Sequence, residues 1–220
     1  MAEQALVVGT GAIGAAIAAE LAREGFSVVA RGRRTDPPLD LLDEATIAAA
    51  LAGLAPRVVV VASGYLHGAW MPERRLREIE PAHMAHAFAI NAIGPALIMK
   101  HAMNWMPRQG RAVFAVLSAR VGSIGDNRLG GWLAYRASKA ALNQALRTAA
   151  IEFHRHNKEA VCLALHPGTV ASPLSAPFAK AGLTVRPPGE AAAALVRVML
   201  GAGTPGEARF LDYAGAEISW

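Results

Sequence analysis

Apolar blocks and alanine-rich stretches alternate along this chain from one end to the other. Blocks dense in Val, Leu and Ala near residues 4–9, 26–31, 57–62, 111–118, 159–165 and 207–213 have the length of buried strands. Between most of them lie longer segments that predict helices, among them Ala15–Leu21, Pro81–Met106 and Trp132–His156. Strands that alternate with helices predict an α/β fold, a doubly wound parallel sheet with helices on both faces. No linker, repeat or low-complexity tail interrupts the alternation, so residues 1–220 are expected to form a single domain.

Two stretches add chemistry to this frame. Leu6-Val7-Val8 runs into Gly9-Thr10-Gly11-Ala12-Ile13-Gly14 and then into the Ala15–Leu21 helix, which is a strand, a tight turn and a helix. Glycines at the first, third and sixth positions let the chain turn, bring backbone close to a pyrophosphate and pack the helix on the strand. A purely structural turn is the alternative. Farther along, Tyr135 stands four residues before Lys139 on a predicted helix, which puts both side chains on one face. An ammonium held beside a phenol is expected to lower the phenol's pKa toward a range where it can exchange protons with a carbonyl or alcohol. A solvated helix face without chemistry is the competing reading.

The second strand ends in Arg31-Gly32-Arg33-Arg34, about twenty residues after the glycine turn, where an acidic residue would bind the ribose hydroxyls of NAD. No acid stands there. Gly32 leaves room for a 2′-phosphate and Arg33 offers a guanidinium fork to bind it, so NADP(H) is expected over NAD(H), unless these arginines are only a solvated loop.

With both motifs in view the chain resembles the short-chain dehydrogenase/reductase family, and its details resemble the C-factor-like branch. The likeness runs the length of the chain and is carried by Leu117-Ser-Ala-Arg-Val-Gly-Ser-Ile124, Asn127-Arg-Leu-Gly-Gly-Trp132, Tyr135-Arg-Ala-Ser-Lys-Ala-Ala-Leu-Asn143, and Phe210–Gly215 with Trp220. The resemblance implies a Rossmann-type sheet and an oxidoreductase that moves hydride between a nicotinamide and a small carbonyl or alcohol. It implies Tyr135 as general acid/base, Lys139 as the residue that tunes the phenol and holds the nicotinamide ribose, and Asn91 as the residue that bends its helix and orders a relay water. Around the cofactor it implies Gly9, Thr10, Gly11, Ile13, Gly14, Arg31, Arg33, Arg34, Asp40, Leu41, Ala62, Ser63, Gly64, Lys139, Pro167, Gly168, Val170 and Ser172. His166 is read as flanking its loop structurally.

Three departures from the family pattern stand out. The register that usually carries the catalytic serine holds Ala119, so Ser118, one place early, is expected to take the role, with Ser123 as the other candidate. A one-residue slip at a strand end reverses the side chain's direction unless the backbone bulges. Ala62-Ser63-Gly64 stands where the family has Asn-Ala-Gly. Between Arg34 and Asp40, Thr35-Asp36-Pro37-Pro38-Leu39 leaves no room for the usual helix, and only a stub of the family's third strand is expected before Asp43 caps a helix starting near Glu44.

Composition narrows the remaining classes. One cysteine, Cys162, excludes an intramolecular disulfide and suits the cytoplasm. No stretch is expected to span a membrane, and no histidine pattern suggests a metal. The net charge of +5 comes from scattered arginines with no aromatic stacking platform beside them, which argues against a nucleic-acid partner. The family resemblance implies a homodimer or homotetramer paired through Pro81–Met106 and Trp132–His156. Tyr65, His67, Leu129, Trp132 and the segment Pro173–Leu183 are expected to frame the substrate pocket. From a different class, a nucleotide-binding signalling or scaffold protein that has lost efficient catalysis fits the displaced serine.

Overall fold

The computed structural model describes residues 2–178, 184–203 and 206–220. Its strands are β1 (Gln4–Val8), β2 (Ser27–Arg31), β3 (Val58–Val61), β4 (Ala112–Leu117), β5 (Ala160–His166), β6 (Thr169–Val170), β7 (Val185–Arg186) and β8 (Ala208–Asp212). Six of them build one sheet in the order β2-β1-β3-β4-β5-β8, parallel throughout. These are the six strands read from the sequence. The short β6–β7 ladder was not foreseen, because two-residue strands leave no periodicity to read.

The helices are α1 (Ala12–Arg23), α2 (Glu44–Leu51), α3 (Pro81–Phe88), α4 (Gly94–Ala102), α5 (Leu133–His156) and α6 (Pro188–Gly201). Both sheet faces are covered, which is why the central strands β3 and β4 are apolar at every position instead of at alternate ones. Leu6, Val8, Phe114 and Phe210 pack against Ile47, Ile98, Leu146 and Phe153 of α2, α4 and α5. Val7, Val60, Ala115 and Leu163 pack on the other face against Ile17 and Leu21 of α1 and Leu195 and Met199 of α6. Burial of each large side chain here contributes about 1.5–3 kcal/mol.

The expected stub of a third strand is absent: residues 32–43 are turn and loop. Pro37 and Pro38 carry no N–H to donate to a ladder, and Thr35 Oγ1 folds the segment back on itself, accepting the Gly32 N–H and lying 2.8 Å from the carbonyls of Gly32 and Pro37, either of which can take its single proton. The shortening between the second and third strands therefore leaves β2 at the sheet edge. Asp43 caps α2 as expected, its Oδ1 accepting the Ala45 N–H at 2.9 Å.

Helices α3 and α4 are one continuous rod, Pro81–Ala102, interrupted by a π turn at Ala89–Ile93. Pro95 cannot donate to the carbonyl of Asn91 four residues earlier, so the helix widens there. By length and composition this rod could cross a membrane, which corrects the expectation that no segment could. It serves here as a core helix, with Asn91, Ile98 and Ala102 fully buried.

Candidate active site at the carboxyl ends of the strands

The turn from β1 into α1 requires glycine at two positions. Gly9 has φ +110°, and a Cβ on it would sit 2.7 Å from Ser63 Oγ; a Cβ on Gly14 would sit 1.9 Å from the Gly9 carbonyl oxygen. Gly11 is different, because its added Cβ would meet open space. It is also the N-cap of α1, and no side chain accepts the first helical N–H groups. An uncapped helix N-terminus beside open backbone suits a phosphate. Thr10 closes the turn against Gly32, and Ile13 reaches into the adjoining cavity.

Arg33 and Arg34 are exposed and make no salt bridge among the described residues. Arg31 departs from expectation. Its Nε donates to the Ala50 carbonyl at 3.1 Å and its Nη1 to that of Ala30, so the guanidinium secures the end of α2 instead of being offered to a ligand. Asp40 makes an Asx turn, with Oδ1 accepting the Leu42 N–H. The Leu41 side chain is buried against Gly94, which leaves only its backbone for a ligand.

A cavity of 370 Å³ opens beyond the glycine turn. Ala62, Ser63 and Gly64 line it from the end of β3, held by the Ala62 N–H and Ser63 Oγ, both donating to the Val8 carbonyl. Tyr135 and Lys139 line it from the first turns of α5. Lys139 Nζ donates to the Leu117 carbonyl at 2.8 Å and lies 5.9 Å from the Tyr135 ring centroid. The Tyr135 hydroxyl makes no hydrogen bond among the described residues. Burial pushes this phenol up to about 12 and the Lys139 ammonium down to about 8. The lowered phenol expected from the sequence is thus reversed, because desolvation of the phenolate outweighs a cation that points at a carbonyl.

Asn91 is locked rather than free. Its Oδ1 accepts the Tyr65 N–H, and its Nδ2 donates to the Tyr65 carbonyl and to Ser138 Oγ. The helix bend expected there is the π turn itself, and a Cβ on Gly64 would lie within 4 Å of both Asn91 and Lys139.

Ser118 lines the cavity, but its hydroxyl is engaged with the protein. It is 4% exposed, and its Oγ donates to Asn143 Oδ1 at 2.7 Å on the α5 side of the sheet. Strand alternation is the reason: the even-numbered side chains of β4 face α5. Ala119 lines the cavity at the register the family serine would fill. Ser123 is buried too, its Oγ accepting the Asp126 N–H. Both hydroxyls thus have protein partners, Asn143 for Ser118 and the Asp126 N–H for Ser123.

Past β5 the chain forms the far wall. His166, Pro167, Gly168, Val170 and Ser172 all line the cavity; Gly168 has φ +74° and packs on Tyr213. Leu66 and Arg120, not assigned to the pocket from the sequence, join them, and Phe178 comes from the expected Pro173–Leu183 segment. His166 is pushed down to about 4 by burial, then by the Arg120 charge, with Asp212 opposing, and is neutral near pH 7. Trp132 and Phe178 meet edge to face at 4.8 Å, and His67 Nε2 lies within 3.2 Å of the Pro173 and Leu174 carbonyls.

Parts of the expected frame move elsewhere. Leu129 is 92% exposed, and the Tyr65 ring turns to His83 and His86, where burial raises its phenol. Residues 179–183 of the expected frame lie outside the described residues. No group of three His, Cys, Asp or Glu among the described residues could hold a metal.

Comparison with known proteins agrees with this geometry. A family model described as Enoyl-(Acyl carrier protein) reductase matches residues 31–199. The C-signal protein of Myxococcus xanthus is 31% identical over 165 residues, 75% of this chain and 93% of that protein. A 1-hydroxy-2-glutathionyl-2-methyl-3-butene dehydrogenase of Rhodococcus sp. (strain AD45) is 29% identical over 202 residues, 90% of this chain and 85% of that one. A short-chain dehydrogenase/reductase from Burkholderia multivorans, solved with bound NADP, superposes with a TM-score of 0.84 at 25% identity, covering all of both chains. The chain belongs to the short-chain dehydrogenase/reductase family of nicotinamide-dependent oxidoreductases, with a C-factor-like relative close by.

Proposed function

We propose that this protein is an NADP(H)-preferring carbonyl reductase, or the reverse alcohol dehydrogenase, with Tyr135 as the group that exchanges the proton. The observation that carries the reading is one cavity lined by Ile13, just past the uncapped glycine turn, and by a phenol with no hydrogen-bond partner among the described residues beside a buried lysine. Gly9, Gly11 and Gly14 would receive the pyrophosphate and the exposed Arg33 the 2′-phosphate. The reduced cofactor supplies the hydride when bound. A phenol near 12 stays protonated throughout neutral pH, so Tyr135 is loaded to give its proton to the carbonyl oxygen as the carbon accepts hydride. Lys139, fixed by the Leu117 carbonyl, holds its charge beside that oxygen below about pH 8. Leu66, Trp132, Leu174 and Phe178 favour an apolar or aromatic carbonyl compound of modest size.

The alternative, a nucleotide-binding scaffold or signalling protein with weak catalysis, is favoured by one observation: Ala119 leaves the substrate oxygen without the serine donor. That M. xanthus relative is named for a signal, which keeps this reading in play. Cofactor oxidation over a panel of aromatic and aliphatic carbonyls, run with NADPH and NADH on wild type and Arg33→Ala, separates the two. Turnover with NADPH that loses its coenzyme preference in Arg33→Ala is the expected result. Tight NADPH binding without turnover on any carbonyl would favour the scaffold.

A further inference from the structure

The mechanism above leaves one buried pair of titratable side chains unused. Glu73 and His83 are 3% and 2% exposed, with His83 Nδ1 3.3 Å from Glu73 Oε1. Trp70 stacks on the His83 imidazole, its plane tilted by 14°, and Tyr65 meets it edge on. A buried carboxylate is costly unless its contacts compensate. This one does not line the catalytic cavity.

Its remaining contacts cross 61 positions to the start of α5. Glu73 Oε2 accepts the Ala134 N–H at 3.2 Å, and the Glu73 backbone carbonyl accepts the Trp132 N–H. Helix α5 has no cap of its own. Its N-cap residue is Trp132, at φ +53°, a left-handed conformation that a bulky residue keeps only when its surroundings enforce it. Glu73 therefore does what a capping side chain would do, from outside the helix, and places negative charge at the helix N-terminus. The Trp132 ring it holds stands 6.3 Å from the Tyr135 ring and 4.8 Å from that of Phe178, both in the cavity wall.

We propose that Glu73 is a positioning residue: through its backbone and carboxylate contacts to residues 132 and 134 it sets the Trp132 indole and the Tyr135 phenol, while its other oxygen, 3.3 Å from His83 Nδ1, makes no hydrogen bond among the described residues. It touches neither substrate nor cofactor. The kinetic readout rests on the reductase reading above; a spectroscopic one does not.

The test uses protein labelled with 5-fluorotryptophan, with the Trp132 fluorine resonance assigned through Trp132→Phe. In Glu73→Ala the expected outcome is a kcat lowered at least tenfold, a KM for NADPH within threefold, and a shifted or broadened Trp132 signal while Trp105 and Trp220 stay put. Glu73→Gln keeps an oxygen that can accept from Ala134 and should recover most of both readouts. An unmoved Trp132 signal, or a kcat within twofold of wild type, in folded Glu73→Ala overturns the proposal. If Glu73→Ala does not fold, Glu73→Asp, too short to reach Ala134, is judged by the same two criteria. If wild type turns over no carbonyl, the reductase reading fails on its own, and the Trp132 signal alone decides the role of Glu73.

Discussion

Helix α5 and strand β4 both bring their ends to the cavity, and they carry chemistry there in different ways. On α5 the Tyr135 and Lys139 side chains lie one turn apart on the same face, so a helix that presents one presents the other. On β4 successive side chains alternate, so the hydroxyl at 118 lands on Asn143 and the methyl at 119 lands in the cavity. A helical pair keeps its geometry as long as the spacing is kept. A donor at a strand end depends on one residue in one register, and here that residue is alanine.

The comparison breaks at once if the helical pair is idle. Tyr135→Phe removes only the hydroxyl and should lower kcat about a thousandfold, within the usual range for a positioned general acid, while NADPH binding changes less than twofold. Steady-state kinetics beside a fluorescence titration reads both numbers. Retained turnover would remove the mechanism.

The end of β5 offers a third case, a polar side chain in the cavity wall that burial keeps neutral. His166 titrates near 4 in the folded protein against an ordinary value near 6.5, so the unfolded chain binds more protons between those limits. Stability contributed by this residue is complete above about pH 6.5 and is lost as pH falls toward 4, by at most about 3 kcal/mol. Urea unfolding of wild type at pH 7 and pH 4.5 should show the loss, and His166→Gln should flatten it. Equal losses in both proteins would mean that the imidazole is no more buried than a surface one.

The strand end itself is sharpened by Ala119→Ser, which returns the donor to the position facing Tyr135. Loss of one such donor typically costs a hundredfold or more, so a gain of about ten- to a hundredfold in kcat is expected, with coenzyme affinity unchanged. No gain in an otherwise active enzyme would mean that another donor already serves the oxygen, and Arg120 and His166 line the same space.

These contrasts also explain how much could be read from the chain. The strands, the Asp43 cap, the glycine turn and the Tyr135–Lys139 pair rest on local spacing, and the fold places them where spacing put them. What escaped depends on contacts far away in sequence. Arg31 is expected around the cofactor because nothing local says that Ala50 will receive it. Tyr65 and Leu129 were read as pocket residues, yet their directions follow from the His83–His86 face and from an exposed loop. The raised Tyr135 phenol needs the whole cavity around it before desolvation can outweigh a nearby charge. Glu73 gave no local signal at all, since its partners sit on α3 and at the start of α5.

Ser118→Ala carries the smallest expected effect and tests the contrast most directly. The hydroxyl is buried and its proton is spent on Asn143 Oδ1, while Asn143 Nδ2 has no partner among the described residues. Deleting the hydroxyl strips Asn143 of a hydrogen bond inside the protein, which should cost about 1–2 kcal/mol of stability by urea unfolding. Turnover should change less than about threefold, because the hydroxyl's proton is held by Asn143 Oδ1 and is not free for a substrate oxygen. A hundredfold fall in kcat with cofactor binding intact would show that Ser118 swings into the cavity when substrate is bound. Strand alternation would then cease to distinguish β4 from α5, and the methyl of Ala119 would be making room for its neighbour instead of marking a lost donor.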